Sequence, residues 1–137
     1  MTAMHNFEAF LKDRERASVA FVNGENAPLD ALSTHESPAT IYGPAGNTVE
    51  GAAEVNAANA KGAQSFEAGS DSHFEIQQMS ADANLAFWAG IQRSMVKVKG
   101  KDKAVPMDLR VTEVFRREDG AWKLIHRHAD PLKDGAR

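Results

Sequence analysis

Hydrophobic residues recur at helical spacing in the first part of the chain. Within 4–22, Met, Phe, Leu, Ala and Val side chains fall on one broad face of a helical wheel, and most charged residues lie away from its middle. An Asn-Gly pair directly afterwards supplies a helix-stop signal. A proline in the first turn predicts a short second helix over 28–32. An alanine-rich segment predicts a third helix over 50–61.

From about residue 70 onward the period changes to two, which predicts strands. Polar and apolar residues alternate through 72–79, and long alternating segments follow at 85–98, 105–117 and 121–128. A Glu-Asp-Gly turn joins the last two segments and contains the Asp-Gly pair typical of a tight hairpin. One short strand is also predicted at 38–42, before a turn rich in glycine and proline.

The order of these elements predicts the fold class. Helices come first and an antiparallel meander of four long strands follows, which favours an α+β fold in which helices cover one face of a curved sheet. Nothing along residues 1–137 marks a boundary between domains, so a single domain is expected, with the last five residues frayed.

Composition narrows the class of protein and of partner. Hydrophobic residues make up 42% of the chain and charged residues 26%, which is typical of globular proteins. The net charge of −3 has the wrong sign for a nucleic-acid binder. There is neither an apolar run of roughly 18–20 residues nor a basic, apolar start, so no membrane partner is expected and a cytoplasmic location is indicated. The absence of cysteine excludes disulfides and thiolate metal sites.

Several short motifs follow one another in order along nearly the whole chain. They are Asn-Gly after the first helix, Leu-Asp-Ala-Leu in the second, Ile-Tyr-Gly-Pro before the third, and then Arg110-x-Thr112, Asp119-Gly120-x-Trp122 and His126-x-His128. This ordered set resembles the nuclear transport factor 2-like superfamily and, within it, the SnoaL-like or ketosteroid isomerase-like domains. The closing Trp-x-x-Ile-His-x-His segment is also similar to the association domain of calcium/calmodulin-dependent protein kinase II.

The resemblance implies a cone-shaped, cystatin-like architecture with three N-terminal helices packed in the concave face of a bent antiparallel sheet. It also implies a ligand pocket inside the cone and a homodimer through the outer sheet face. The expected ligand is a small, partly apolar molecule, bound without a cofactor or a metal ion. The implied function is proton transfer of the isomerase, cyclase or dehydratase type, or alternatively a non-catalytic module that binds a ligand or oligomerises.

The last predicted strand carries the residues best suited to catalysis. Alternation places Trp122, Leu124, His126 and His128 on one face. If this face is buried, both histidines point into the cone, where an imidazole with a pKa of about 6.5 acts as acid, base or hydrogen-bond donor. His126 and His128 are therefore the candidate catalytic residues. In the alternative interpretation, each imidazole only bonds a backbone group or a carboxylate and fills space.

Five further side chains are candidates for binding the ligand: Arg14, Tyr42, Trp88, Arg110 and Thr112. Arg14 interrupts the apolar face of the first helix, where a polar group would face the interior of the cone. Arg110 shares a strand face with Thr112 and needs a carboxylate or an anionic ligand if it is buried. Tyr42 offers a hydroxyl donor beside a glycine turn, and Trp88 has small neighbours on its strand face. The alternatives are a snorkelling side chain or a salt bridge to the sheet for Arg14, and a structural ion pair for Arg110. They are a core or rim position for Tyr42 and plain core for Trp88.

One set of apolar strand residues predicts the dimer surface: Phe87, Ile91, Val111 and Phe115. These side chains are too apolar for a solvated face if the other rows line the cone, so they are expected to pair across a subunit boundary. Glu113 lies beside Val111 and Phe115 and is a candidate for the same interface.

Overall fold

Residues 2–133, which the computed structural model describes, form three helices and seven strands. The helices are α1 (Ala3–Val22), α2 (Ala27–Leu32) and α3 (Ala52–Ala63). The strands are β1 (Thr40–Tyr42), β2 (Thr48–Glu50), β3 (Phe66–Ala81), β4 (Leu85–Val98), β5 (Val105–Pro106), β6 (Leu109–Glu118) and β7 (Ala121–Pro131). The predicted α+β class is confirmed. Apart from Lys133, the residues expected to fray lie outside the described part of the chain. None of the described helices has the length and apolar character needed to cross a membrane.

The strands form one bent, unclosed sheet in the order β2–β1–β7–β6–β4–β3, and β5 pairs with β4. The long strands β3, β4, β6 and β7 pair antiparallel with one another, as the meander predicts. The short strand β1 instead lies parallel to β7, with Thr40 beside His126. We call the face that packs against α1 the inner face and the opposite one the outer face.

Two local differences separate the structure from the predicted elements. Thr48–Glu50 forms a strand where the start of the third helix was predicted, and Gly51, with φ of 100°, turns the chain so that this helix begins at Ala52. The predicted strand 105–117 is divided into β5 and β6. Between these two strands, the Oδ1 of Asp108 accepts a hydrogen bond from the backbone N–H of Ser94 in β4.

Aromatic residues dominate the core between the helices and the inner face. The fully buried ring of Phe7 lies 5.3 Å from that of Phe115 and 5.6 Å from that of Trp122, measured between ring centroids. Each such side chain stabilises the fold by roughly 1.5–3 kcal/mol through burial. The remaining buried members of this cluster are Leu11, Ala17, Leu29, Ala86, Trp88, Leu109, Val111, Leu124 and Ala129.

A bulge in β3 brings two strand backbones unusually close. The pairing of β3 with β4 shifts by one residue between Ile76 and Gln78, and a bulge of this kind increases the local bend. Opposite it lies Gly90, where a Cβ atom would be only 2.0 Å from the backbone oxygen of Glu75. A residue without a side chain is therefore required at this position.

A second bulge, in β7, decides which side chains face the helices. Val114 pairs with His126, whereas the next residue, Phe115, pairs with Leu124, so Ile125 is the extra residue. Successive side chains alternate between faces, and one extra residue therefore turns the rest of the strand over. The predicted alternation along this strand holds only as far as Leu124.

The reversal exchanges the expected roles of histidine and arginine in β7. Beyond the bulge the partly exposed Arg127 contacts the buried Glu113 of the inner face, and Ala129 is buried. His128 is exposed instead, and its ring lies 4.0 Å from Asp130. The prediction that both histidines share the buried face of Trp122 is therefore wrong.

The apolar row predicted for the dimer surface is divided between the two faces. Val111 and Phe115 are buried on the inner face together with Glu113, because cross-strand pairing aligns them with the inner row of β4. Phe87 and Ile91 alternate with that row and lie on the outer face. The expectation that Glu113 belongs to an outer interface is wrong for the same reason.

Candidate functional site

A cavity of about 230 Å³ lies between the helices and the inner face of the sheet. Its wall is mostly apolar and includes the side chains of Phe21, Val22, Leu29, Val55, Leu109 and Leu124. An apolar cavity of about 150 Å³ is large enough to hold benzene. The enclosure therefore suits a small organic molecule of about one substituted ring.

A buried carboxylate, Glu113, lies at the centre of a hydrogen-bonded network beside this cavity. Its Oε1 accepts from Arg14 Nε at 3.0 Å and from Trp88 Nε1 at 2.8 Å. Its Oε2 accepts from Arg14 Nη2 at 2.7 Å and from Arg127 Nη1 at 2.8 Å. Glu113 has no exposed surface, so these four donors replace water around both carboxylate oxygens.

Cross-strand register explains why these residues meet. Trp88 of β4 and Arg127 of β7 are the direct partners of Glu113 on its two neighbouring strands. Arg14 approaches from above, because it interrupts the apolar stripe of α1 that packs on the sheet and is only 3% exposed. The network therefore joins the first helix to three strands at one level of the core.

The network carries one more positive than negative charge. Burial alone would raise the pKa of Glu113, but the adjacent guanidinium groups of Arg14 and Arg127 lower it from its usual 4.5 to about 2. Burial also lowers the pKa of Arg127, against the attraction of Glu113. With Glu113 ionised and both arginines protonated, two cations share one anion.

His126 is a titratable residue at the edge of the cavity, and its ring lies on the sheet face that it shares with Tyr42 and His128. Its Nδ1 lies 2.6 Å from Thr40 Oγ1, and its ring centroid is 4.8 Å from that of Tyr42. Burial, and secondly repulsion by His128, lowers the pKa of His126, while Glu113 acts in the opposite direction. The ring is therefore mainly neutral near pH 7, which is the form that accepts a proton.

Neutral polar groups extend the network toward β3. The Oε1 of Gln92 accepts from Arg127 Nη2 at 2.7 Å. The hydroxyls of Ser18 and Ser72 lie 2.9 Å apart, and Ser94 donates to Ser72 at 3.1 Å. Gln92 and Ser18 also line the cavity, so the wall offers neutral hydrogen-bonding groups beside the arginines.

Two of the predicted site residues, Arg14 and His126, line the cavity. Trp88 does not line it: its side chain is fully buried in the core, stacked on Phe74 at 4.4 Å between ring centroids. The core alternative therefore applies to Trp88, which acts on the site only through its hydrogen bond to Glu113.

The other predicted site residues lie away from the cavity. Arg110 and the exposed Thr112 point outward, because the inner positions of β6 belong to Glu113 and its neighbours. The need of Arg110 for a partner is met by Asp130, at 2.6 and 2.8 Å, as the salt-bridge alternative predicts. Tyr42 is 42% exposed, as the rim alternative predicts. Within residues 2–133, no three His, Asp or Glu side chains are grouped to hold a metal ion.

Three residues of the site were not among the predicted ones: Glu113, Gln92 and Arg127. Glu113 had a visible signal, since it lies between two apolar residues of one strand face while Arg14 interrupts the apolar face of the first helix. A buried anion and a buried cation are each other's natural partners. Arg127 had no such signal, because simple alternation assigns it to the outer face.

The sequence model of the SnoaL-like domain family matches residues 17–131, which include Glu113, His126 and Arg127. No curated protein matches the chain.

Three solved structures illustrate how widely the fold is shared. An uncharacterised protein with a cystatin-like fold from Caulobacter vibrioides has a TM-score of 0.71 and 14% identity, covering 98% of this chain and 92% of that one. A candidate dehydratase of the nuclear transport factor 2-like family from Streptomyces avermitilis has a TM-score of 0.71 and 20% identity, covering 92% and 94%. A candidate calcium/calmodulin-dependent protein kinase type II association domain from Thiobacillus denitrificans has a TM-score of 0.63 and 19% identity, covering 96% of both chains. At these identities the likeness extends to the fold alone.

Proposed function

The chain belongs to the SnoaL-like domain family, and we propose that it binds one small, mostly apolar molecule in the cavity and catalyses a proton transfer on it. In this proposal His126 is the general base and acid. Arg14 and Arg127 hold the oxygen-bearing end of the molecule. The reaction is an isomerisation, a cyclisation or a dehydration.

The observation that carries this proposal is one mostly apolar cavity whose lining residues include His126 together with Arg14 and Arg127. Removal of a proton from carbon needs a base with a pKa near the working pH and a donor to the oxygen on which charge develops. In this proposal His126 offers a neutral imidazole as the base, and the two arginines offer the donors. The low-dielectric surroundings strengthen the attraction between the arginines and that oxygen.

The proposed reaction begins when His126 takes a proton from a carbon next to a carbonyl or carboxyl group. The electron pair of the broken C–H bond moves toward the oxygen, where Arg14 and Arg127 stabilise the growing negative charge. The imidazolium then returns its proton. Protonation at another carbon gives an isomer, whereas protonation of a leaving hydroxyl gives water and a double bond.

The relatives of the chain are compatible with this chemistry. The Streptomyces avermitilis protein that shares the fold is described as a candidate dehydratase. Dehydration next to a carbonyl group also starts with removal of a proton from carbon, so the proposal needs only one kind of first step.

Hydrogen exchange on phenylacetone tests the proposal, because this ketone is one ring in size and has acidic C–H bonds. We expect the protein to accelerate deuterium uptake from D₂O, followed by NMR, and His126→Ala to lower the acceleration by about 10²–10⁴-fold. His128→Ala is the matched control on the outer face and should retain the wild-type rate. Equal rates in the wild type and His126→Ala contradict the assignment of the base.

In the non-catalytic alternative, the cavity binds a small molecule but the protein catalyses no reaction on it. In that case phenylacetone binds, as seen in NMR shift changes of the cavity residues, but the protein does not accelerate the exchange. Binding without acceleration therefore favours a ligand-binding module over an enzyme.

A homodimer through the outer face is the second part of the proposal. On the outer row of β4, Leu85 is 50% exposed beside the half-buried Phe87, and the kinase association domain that shares the fold gives a precedent for assembly. We expect light scattering to show twice the chain mass at micromolar concentration and Leu85→Asp to give monomers. Val105→Asp, at a similarly exposed apolar residue of β5, is the control and should leave the dimer intact. A wild-type monomer contradicts this part.

A further inference from the structure

The charge balance of the cavity wall restricts the class of molecule that fits. Arg14 and Arg127 share the single carboxylate of Glu113, which leaves the buried network with one uncompensated positive charge. Among the described residues, no carboxylate lines the cavity. A buried charge without a counter-charge is costly, and the fold itself needs only one of the two arginines to neutralise Glu113.

An unsatisfied hydrogen-bond donor of Arg14 supports the same conclusion. Arg14 uses Nε and Nη2 on Glu113, but its buried Nη1 has no hydrogen-bond partner among residues 2–133. Its guanidinium carbon lies 5.5 Å from the ring centroid of Phe74, which provides no acceptor oxygen. The side chain is 3% exposed and lines the cavity. An acceptor supplied by a bound molecule would satisfy this donor.

We infer that the molecule taken up by the cavity is a small organic monocarboxylate, about one ring in size, whose charge lies against Arg14 and Arg127. The charge of −1 neutralises the network, and a carboxylate oxygen accepts from Nη1 of Arg14. The mostly apolar wall selects an organic acid over a hydrated inorganic anion. This inference rests on the proposed function only in taking the cavity as the binding site.

For the proposed chemistry, a carboxylate held by two arginines has a direct consequence. Neutralising its charge makes removal of a proton from the adjacent carbon easier, because the electron pair then moves toward an oxygen that is already paired with cations. The substrate class named by the charge balance is thus compatible with His126 as the base.

Two probes of nearly equal shape, phenylacetate and phenylacetamide, isolate the effect of charge. In calorimetric titrations at pH 7 and low salt, we expect phenylacetate to bind at least about tenfold more tightly, because hydrogen bonds to a charged group are the stronger ones. Equal affinities for the two probes overturn the inference while leaving the cavity as a binding site. Absence of binding by both probes overturns the proposed function as well.

Arg127→Met tests the arginine contact without leaving a buried charge unpaired, because Glu113 and Arg14 then form a neutral pair. We expect this variant to lose the preference for phenylacetate over phenylacetamide. The matched control, Arg110→Met, removes an exposed arginine of the outer face and should keep the preference. A preference that survives in Arg127→Met places the acid elsewhere and contradicts the inference.

Inorganic phosphate distinguishes an organic acid from an inorganic anion. About 10 mM phosphate would compete with phenylacetate if phosphate bound with a Kd in the millimolar range. We expect this concentration to leave the affinity for phenylacetate within about twofold after ionic strength is matched with chloride. Displacement of phenylacetate by phosphate at this concentration identifies a general anion site and overturns the assignment to an organic acid.

Discussion

Strand β6 contributes one member of an arginine–carboxylate pair to each face of the sheet, and the two pairs differ mainly in burial. On the inner face, Arg14 contacts Glu113 through two hydrogen bonds of 3.0 and 2.7 Å. On the outer face, Arg110 contacts Asp130 through two of 2.6 and 2.8 Å. The inner side chains are 3% and 0% exposed, and the outer ones 64% and 32%. Similar geometry therefore occurs in two very different surroundings.

The comparison teaches that the surroundings decide what an ion pair does. For Asp130, the hydrogen bond from Arg110 lowers the pKa directly, and water screens the remaining interaction. For Glu113, burial is the largest influence and raises the pKa, so the arginines must first overcome it. The inner pair consequently links folding to charge, and Arg127 adds a second cation to the same carboxylate.

The largest expected difference between the two faces is in stability. We expect Glu113→Gln to lower the free energy of unfolding by about 3–5 kcal/mol, because it leaves the buried Arg14 and the partly buried Arg127 without an anion. Asp130→Asn should leave the free energy of unfolding nearly unchanged, because its partner stays in water. Urea denaturation followed by circular dichroism measures both values. Similar losses of stability in the two variants would contradict the claim that burial makes the two ion pairs different.

Acid provides a second, smaller difference with a definite direction. The pKa of Glu113 is lowered from 4.5 to about 2, so the stability that its carboxylate contributes is present above pH 4.5 and is lost as the pH falls through about 2. The shift corresponds to about 3 kcal/mol. We expect urea midpoints of the wild type to fall steeply over this window and those of Asp130→Asn to follow almost the same curve.

Carbon-detected NMR of the Glu113 carboxyl group checks the same shift in the wild-type protein and needs no variant. The expected titration midpoint is close to pH 2. A midpoint near the ordinary value of a glutamate would show that the two arginines do not hold the carboxylate ionised.

The sequence was enough to predict the main secondary-structure elements and one member of the inner ion pair, Arg14. Period-two alternation and an Asp-Gly turn located the last hairpin, because exposed turns and buried strand faces constrain residue type directly. Arg14 was recognisable as a cation in an apolar stripe, and a salt bridge to the sheet was among its predicted alternatives. The structure confirms that bridge and names its partner, Glu113.

The faces of β7 were beyond prediction for a physical reason. The extra residue, Ile125, is an ordinary strand former, and the bulge exists only as a shift in pairing with β6. Alternation counted without the bulge puts His128 inside and Arg127 outside, which is the reverse of what the structure has. A one-residue shift in register therefore changed the chemistry of the site without changing the fold.

The smallest expected effect concerns the pKa of His126. Burial, followed by repulsion from His128, lowers its pKa below the usual 6.5, so its neutral form stabilises the fold, and this contribution declines as the pH falls from 6.5 toward the folded-state pKa. NMR titration of the ring should show a midpoint below 6.5, and His128→Asn should raise that midpoint because it removes a neighbouring cation. Asp130→Asn removes an outer-face anion near His128 but leaves the burial of His126 intact, so its midpoint should stay below 6.5. A His126 midpoint at or above 6.5 in the wild type would show that burial does not disfavour the charged form of the ring, and would contradict the surroundings assigned to it.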